Sequence, residues 1–223
     1  YIRGQEQDYN MWRQLGNVGW SWNDVLPYFL KSENNELGKS EFHNDSGPIM
    51  VSNKRINLKM LDEFQNAAEE CGIPKTNDFN TGDNTGIGFF QFTTNHNKSL
   101  FKLRCSAAKG YLNPIKKRKN LKIITNAHVE KINFEGTKAE SVSFYQEDKI
   151  STIKAKKEII LSAGSIGSPH ILQVSGIGDS NKLKKNGIKT IQELKGVGMN
   201  LQDHLMFRPV YKVKNLKSLN KKI

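Results

Sequence analysis

With 223 residues, 36% of them hydrophobic and 25% charged, the chain has the balance of a globular protein, long enough for one substantial core or parts of two domains. Thirty-four Lys and Arg against 22 Asp and Glu leave a formal charge of +12, which keeps a polyanionic partner under consideration. No apolar run approaches the roughly 20 residues that cross a bilayer, and Cys71 and Cys105 offer neither a disulfide framework nor metal-ligand spacing.

Residues 1–36 read as helical. Tyr9, Trp12 and Leu15 recur at helical spacing after Asp8, and the run stops at Gly16 and Gly19. Ser21 with Asp24 three positions on fits a capping box for a second helix, and Pro27 sets its regular start nearer Asn23. Residues 42–48 form a turn-rich join and 49–52 a short strand. Residues 58–71 are an amphipathic helix, with Leu58, Leu61, Phe64 and Ala68 on one face and Gly72 past its end. A loop is expected over 77–88, a strand over 89–94, and a helix over 104–112, stopped before Pro114. Residues 121–125 read as a strand that resumes after a kink at 129–134. Beyond a turn at Gly136, residues 141–145 and 150–155 pair as an antiparallel meander. A short helix over 182–185 ends at Gly187, and 190–194 is strand-like.

The run from Lys157 to Gly178, KEIILSAGSIGSPHILQVSGIG, is the richest in information. Ile159, Ile160 and Leu161 form a continuous apolar run, as in a strand covered on both faces of a parallel sheet. Ser162, Ala163, Gly164 and Ser165 are too small to hold a ligand away from the backbone. Ser168 suits an N-cap with Pro169 at the first helical position, and Gly176 can close the helix. A strand end, a small-residue turn and open helix N–H groups suit a phosphate-bearing cofactor. A purely structural turn has the same local look, and both readings stay open on local chemistry.

Gly164, Ser165, Ser168, Pro169, Ile171, Leu172, Ser175, Gly176, Ile177 and Gly178 fit at every position the second signature of the glucose–methanol–choline (GMC) family of FAD-dependent alcohol oxidoreductases. The opening YIRGQEQDYNMWRQLGNVGWSWNDVLPYFLKSE, then LRCSAAKGYLNP and GVGMNLQDH, resemble the family in the same order. The resemblance covers nearly the whole chain and is nearest in look to bacterial choline-dehydrogenase-like and alcohol-dehydrogenase-like members. It implies an α/β fold, made of a partial FAD-binding Rossmann-like domain and part of an α+β substrate-binding domain. Residues 1–49 would be the first-signature helical region of the FAD domain, 50–95 part of the substrate domain, 96–203 a further portion of the FAD domain, and 204–223 the start of the remaining substrate domain.

The same resemblance implies FAD as cofactor and oxidation of an alcohol CH–OH group, choline-like or another primary alcohol, by hydride transfer to flavin. The electron acceptor would be oxygen or a quinone of a respiratory chain, and the location cytoplasmic or peripheral to the inner face of a membrane. The Val129 main chain would read the adenine, with Ala163, Gly164 and Ser165 beside the cofactor. The family's glycine-rich fingerprint is missing, and the chain stops before the region of its catalytic His. It therefore looks like an internal portion of a longer enzyme, inactive alone, to which no catalytic residue and no metal ligand is assigned.

Other residues have blander readings. Asn200, Asp203 and His204 read as a hydrogen-bonded crossover rather than a catalytic pair, since sequence neighbours seldom meet side chain to side chain. Trp12, Trp20 and Trp22 read as core packing before a substrate cage. His43, His96 and His170 read as exposed or satisfied polar groups. Lys116, Lys117, Arg118 and Lys119 form one basic cluster, and Lys212, Lys214, Lys217, Lys221 and Lys222 another. Their Lys bias and lack of interleaved aromatics argue against nucleic acid. A non-catalytic α/β binding fragment is the runner-up, with a basic nucleic-acid-binding protein as the third reading.

Overall fold

Acidic side chains placed three residues into a helix set where the first two helices start. Asp8 Oδ2 accepts the Gln5 N–H at 2.8 Å at the head of α1 (Glu6–Gln14). Asp24 Oδ2 accepts from the Ser21 N–H at 3.0 Å and its hydroxyl at 2.5 Å at the head of α2 (Trp22–Ser32). The cap fixes the start of α2 at Trp22, so Pro27 lies inside the helix, at the loss of one intrahelical bond, instead of delaying it. The computed structural model describes residues 1–54, 58–95 and 103–215. It divides into two units, Tyr1–Leu121 with the segment from Tyr211, and Lys122–Val210. His96, Lys217, Lys221 and Lys222 lie outside the described residues.

In the first unit, β1 (Glu33–Asn35) and β2 (Ile49–Val51) pair in parallel, with Glu33 opposite Ile49. Glu33 is wholly buried, and a buried carboxylate persists only when donors surround it. The Arg3 guanidinium and His43 Nδ1, the latter at 3.0 Å, meet its Oε2, and Asn35 Nδ2 donates to its Oε1 at 2.9 Å. The other ring nitrogen of His43 reaches Asp78 Oδ2 at 2.6 Å. Burial alone would lower the His43 pKa, but its hydrogen bonds to Asp78 and Glu33 outweigh that and raise it to about 9. The imidazole is therefore protonated and donates from both nitrogens. Arg3 also ties Asn80 (2.8 Å, from its N–H) and the Phe42 carbonyl (2.6 Å), and Gln91 donates to Asn35 Oδ1 at 3.3 Å. His43 is thus a satisfied polar group, and a buried one.

Helix α3 (Lys59–Glu70) ends one residue before the Cys71–Gly72 turn, as its pattern predicts. Tyr211 packs on its Phe64 at 5.8 Å between ring centroids. Among the described residues no strand forms over 89–94: Ser52 and Phe92 exchange two hydrogen bonds of 2.9 Å as one isolated bridge, and Thr94 and Arg104 form another. The helix expected over 104–112 is a single π-helical turn, Ala108–Leu112.

The second unit is built on an antiparallel sheet in chain order, β3 (His128–Glu135), β4 (Lys138–Gln146) and β5 (Lys149–Lys154). Residues 121–125 form no strand; the kink is at Asn126, whose φ of 53° is left-handed. Residues 159–161, expected as a buried parallel strand, make no ladder either, and Ile160 is 77% exposed. Their apolar pattern suits a strand, but a strand exists only where a neighbour takes its N–H and C=O groups, and no described segment does so. After α4 (Gly164–Val174) come β6 (Ile177–Gly178), α5 (Ser180–Lys185) and β7 (Gln192–Glu193), with β6 and β7 parallel. Asp179 caps α5 through the Asn181 and Lys182 N–H groups, which hold its carboxyl below the usual range.

Two outcomes are expected. Because folding raises the His43 pKa from 6.5 to about 9, its contribution to stability is complete below 6.5, declines above it and is gone once pH passes 9. Urea unfolding followed from pH 6 to 10 should show that decline, and His43→Gln should flatten it. Gly176 has φ +90°, and an added Cβ would lie 2.5 Å from the Lys189 carbonyl oxygen. Gly176→Ala should therefore cost about 2 kcal/mol or more in the same assay.

Candidate functional site

The turn before α4 is built differently from the pattern the sequence suggests. Helix α4 starts at Gly164 with Ala163 as its N-cap residue, five residues ahead of the expected start. Ser168 does not cap it from outside. Its Oγ accepts the Ala163 N–H at 2.9 Å from within the helix, closing the turn backwards, and Pro169 falls inside α4. Gly164 has φ +83°, a conformation that favours glycine, and a Cβ added there meets no atom within 4 Å. Ala163, Gly164 and Ser165 are all exposed. The first-turn N–H groups have no intrahelical acceptors, and no acidic side chain stands among them. Amide donors, one hydroxyl, small side chains and open space form a donor set that fits a phosphate-bearing group.

Val129 lies at the start of β3, opposite Phe144 on β4. The ladder skips Glu130, so a bulge follows Val129 directly. In the sheet order β3 is an edge strand, with one row of main-chain groups outside the ladder. One of these, the Ile132 N–H, is taken by Ser175 Oγ at 2.9 Å, and the same hydroxyl donates to the Ile171 carbonyl at 2.5 Å. Ser175 thus fixes the C-terminal end of α4 against the edge of β3. Val129 also borders an apolar groove of about 420 Å³ with Ile124, Ala127, Phe144, Ile153 and Ile159. Ile159 leads toward the turn, but Ala163, Gly164 and Ser165 are not part of the groove wall.

The remaining candidates fall elsewhere. Among the described residues Asp203 accepts only the backbone N–H of its neighbour His204, at 2.8 Å, and no hydrogen bond joins Asn200 to either residue. Trp22 is buried, but Trp12 and Trp20 are 46% and 52% exposed, which corrects the core-packing expectation for both. They border an aromatic groove of about 690 Å³ with Tyr9, Tyr28 and Phe29. His170 is exposed. Among the described residues no group of three His, Cys, Asp or Glu side chains could hold a metal. The Arg3–Glu33–His43–Asp78 cluster was missed from sequence. Its members span 75 positions with no spacing rule, and the one local signal was an acid, Glu33, directly behind the apolar face of α2.

An amphipathic helical start, an antiparallel meander and a small-residue turn opening a helix define a mixed helix-and-strand fold. The GMC oxidoreductase family model matches residues 1–206, and the chain belongs to that family. It is 37% identical over 221 residues to the oxygen-dependent choline dehydrogenase of Pectobacterium atrosepticum, covering 98% of this chain and 39% of that protein. Against the mitochondrial choline dehydrogenase of Homo sapiens it is 40% identical over 205 residues, 92% of this chain and 34% of that one. The chain therefore spans less than half the length of these curated relatives. Among solved structures, an FAD-dependent oxidoreductase from Chaetomium thermophilum superposes with a TM-score of 0.81 at 34% identity, over 88% of this chain and 36% of that chain. Pyridoxine 4-oxidase from Mesorbium loti gives 0.78 at 26%, over 86% and 37%.

The Ser175 joint makes a prediction. Ser175→Ala strands the buried Ile132 N–H, so stability should fall by about 1–3 kcal/mol. Amide exchange at Ile132 should accelerate about tenfold or more, as read by hydrogen-exchange mass spectrometry or NMR.

Proposed function

We propose that this chain is part of an FAD-dependent oxidoreductase that oxidises the CH–OH group of an alcohol, choline or another primary alcohol. The observation that carries the reading is the opening of α4, where small exposed residues, a left-handed Gly164 and free first-turn amides coincide. Choline dehydrogenases among the relatives support the substrate class. Bound FAD supplies a two-electron acceptor for the hydride of the alcohol carbon. The chain's own residues bind and orient. Ala163, Gly164 and Ser165 let the backbone approach the cofactor, the α4 amides hold its negative charge, and the main chain of Val129 at the β3 edge takes the adenine. No residue here is assigned as the proton acceptor.

In this reading residues 1–49 and 96–203 serve the cofactor domain, and residues 50–95 with the chain from 204 serve a substrate domain. The packing of Tyr211 on Phe64 of α3 supports that last association. Among the described residues no helix is long and apolar enough to cross a membrane. A cytoplasmic location, or one peripheral to the inner face of a membrane, is part of the same proposal, with oxygen or a quinone as electron acceptor.

The test uses the full-length gene product. It should show a flavin absorption spectrum that bleaches when choline or a primary alcohol is added without oxygen. Ser165→Leu keeps an ordinary helical position but fills the space over the amides. Flavin content should fall about tenfold or more, with unfolding shifted by less than about 1 kcal/mol. A variant that retains full flavin stoichiometry would remove α4 from the cofactor site.

A further inference from the structure

Between Asp83 and Glu130 the sequence contains no acidic residue. As far as residue 119, the described part of that interval carries Arg104, Lys109, Lys116, Lys117, Arg118 and Lys119, all of them exposed. Some lysines elsewhere do stand beside acids, as in Lys75–Glu69 at 2.7 Å and Lys154–Glu140 at 3.0 Å. Among the described residues none of these six cations forms an ion pair with a neighbour. The segment holding the last four is a built loop. Successive turns are closed by Ile115 N–H to the Leu112 carbonyl at 3.0 Å, Arg118 to Ile115 at 2.9 Å and Leu121 to Arg118 at 3.1 Å. Earlier in the same stretch, Leu103 and Tyr111 are 62% and 46% exposed.

We propose that residues 103–119 form a docking surface for an anionic phospholipid bilayer. A bilayer surface attracts cations through a diffuse field rather than a fixed ligand geometry, and it acts within a Debye length of about 8 Å at physiological salt. Unpaired, solvent-facing Lys groups on a fixed loop suit that field, while amphipathic Tyr111 and apolar Leu103 suit the headgroup boundary. Nucleic acid fits less well. Four of the six cations are Lys, without the Arg fork, and Tyr111 is the one aromatic between 103 and 119, so no stacking platform forms. The inference deepens the peripheral half of the localisation above and does not depend on the cofactor reading.

The test is vesicle flotation of the full-length protein on phosphatidylcholine alone and on phosphatidylcholine mixed with phosphatidylglycerol. Binding should require the anionic lipid and weaken steeply with added salt. Replacing Lys116, Lys117, Arg118 and Lys119 together by Gln should lower partitioning about 100-fold or more. The matching change of Lys182, Lys184 and Lys185 on α5 should lower it less than about tenfold. Circular dichroism confirms that both variants fold. Binding to neutral vesicles alone, no binding at all, or equal losses in the two variants would overturn the docking surface. A quadruple variant that loses duplex DNA binding more than vesicle binding would overturn it in favour of nucleic acid. Flavin content separates the two readings: a flavin-replete protein that ignores anionic vesicles refutes only the surface, and a flavin-free protein that binds them refutes only the cofactor site.

Discussion

A carboxylate with no access to solvent governs the first unit. Glu33 is tolerated in the interior because Arg3, Asn35 and a protonated His43 surround it, and His43 is protonated because Asp78 waits on its far side. Each partner is justified by another, so the cluster is stable complete and costly when broken. Its members come from the first residues, β1, the turn at 40–43 and the loop at 78–80. Of those segments β1 lies in a ladder, and the charges and hydrogen bonds of the cluster tie the irregular ones to it.

The second unit solves a similar problem with a neutral group. There the edge of β3 and the end of α4 meet through one hydroxyl, Ser175, which both accepts and donates. That joint anchors α4 at its C-terminal end and leaves its first turn, where the cofactor chemistry is proposed, open. Small side chains around Gly164 sacrifice packing there, as expected where a backbone must approach a ligand closely.

What could be read from sequence was local. The Ser21–Asp24 cap, the extent of α3, the β4–β5 pairing and the Gly176 terminus depend on residues a few positions apart, and the pattern found them. Ser168 and Pro169 misled because a hydroxyl can close a turn from inside a helix as readily as from outside. The apolar run 159–161 has strand composition without a described ladder, since pairing is a property of the neighbour. Trp12 and Trp20 have the spacing of a core but face a groove, because periodicity cannot say what covers a face. The Glu33 cluster gave no pattern at all. The family-wide match around Gly164 carried the candidate site further than any local argument did.

The placement of the aromatic residues also decides what optical probes report. All three tryptophans lie in the first 22 residues, one buried and two half-exposed, and Lys122–Val210 contains none. Tyr145 is the one tyrosine of that second unit. Intrinsic fluorescence excited at the red edge is therefore a private signal of the first unit. The sheet and α4 are silent in it, and a transition seen by fluorescence but not by amide exchange would mark the two units as separate cooperative blocks.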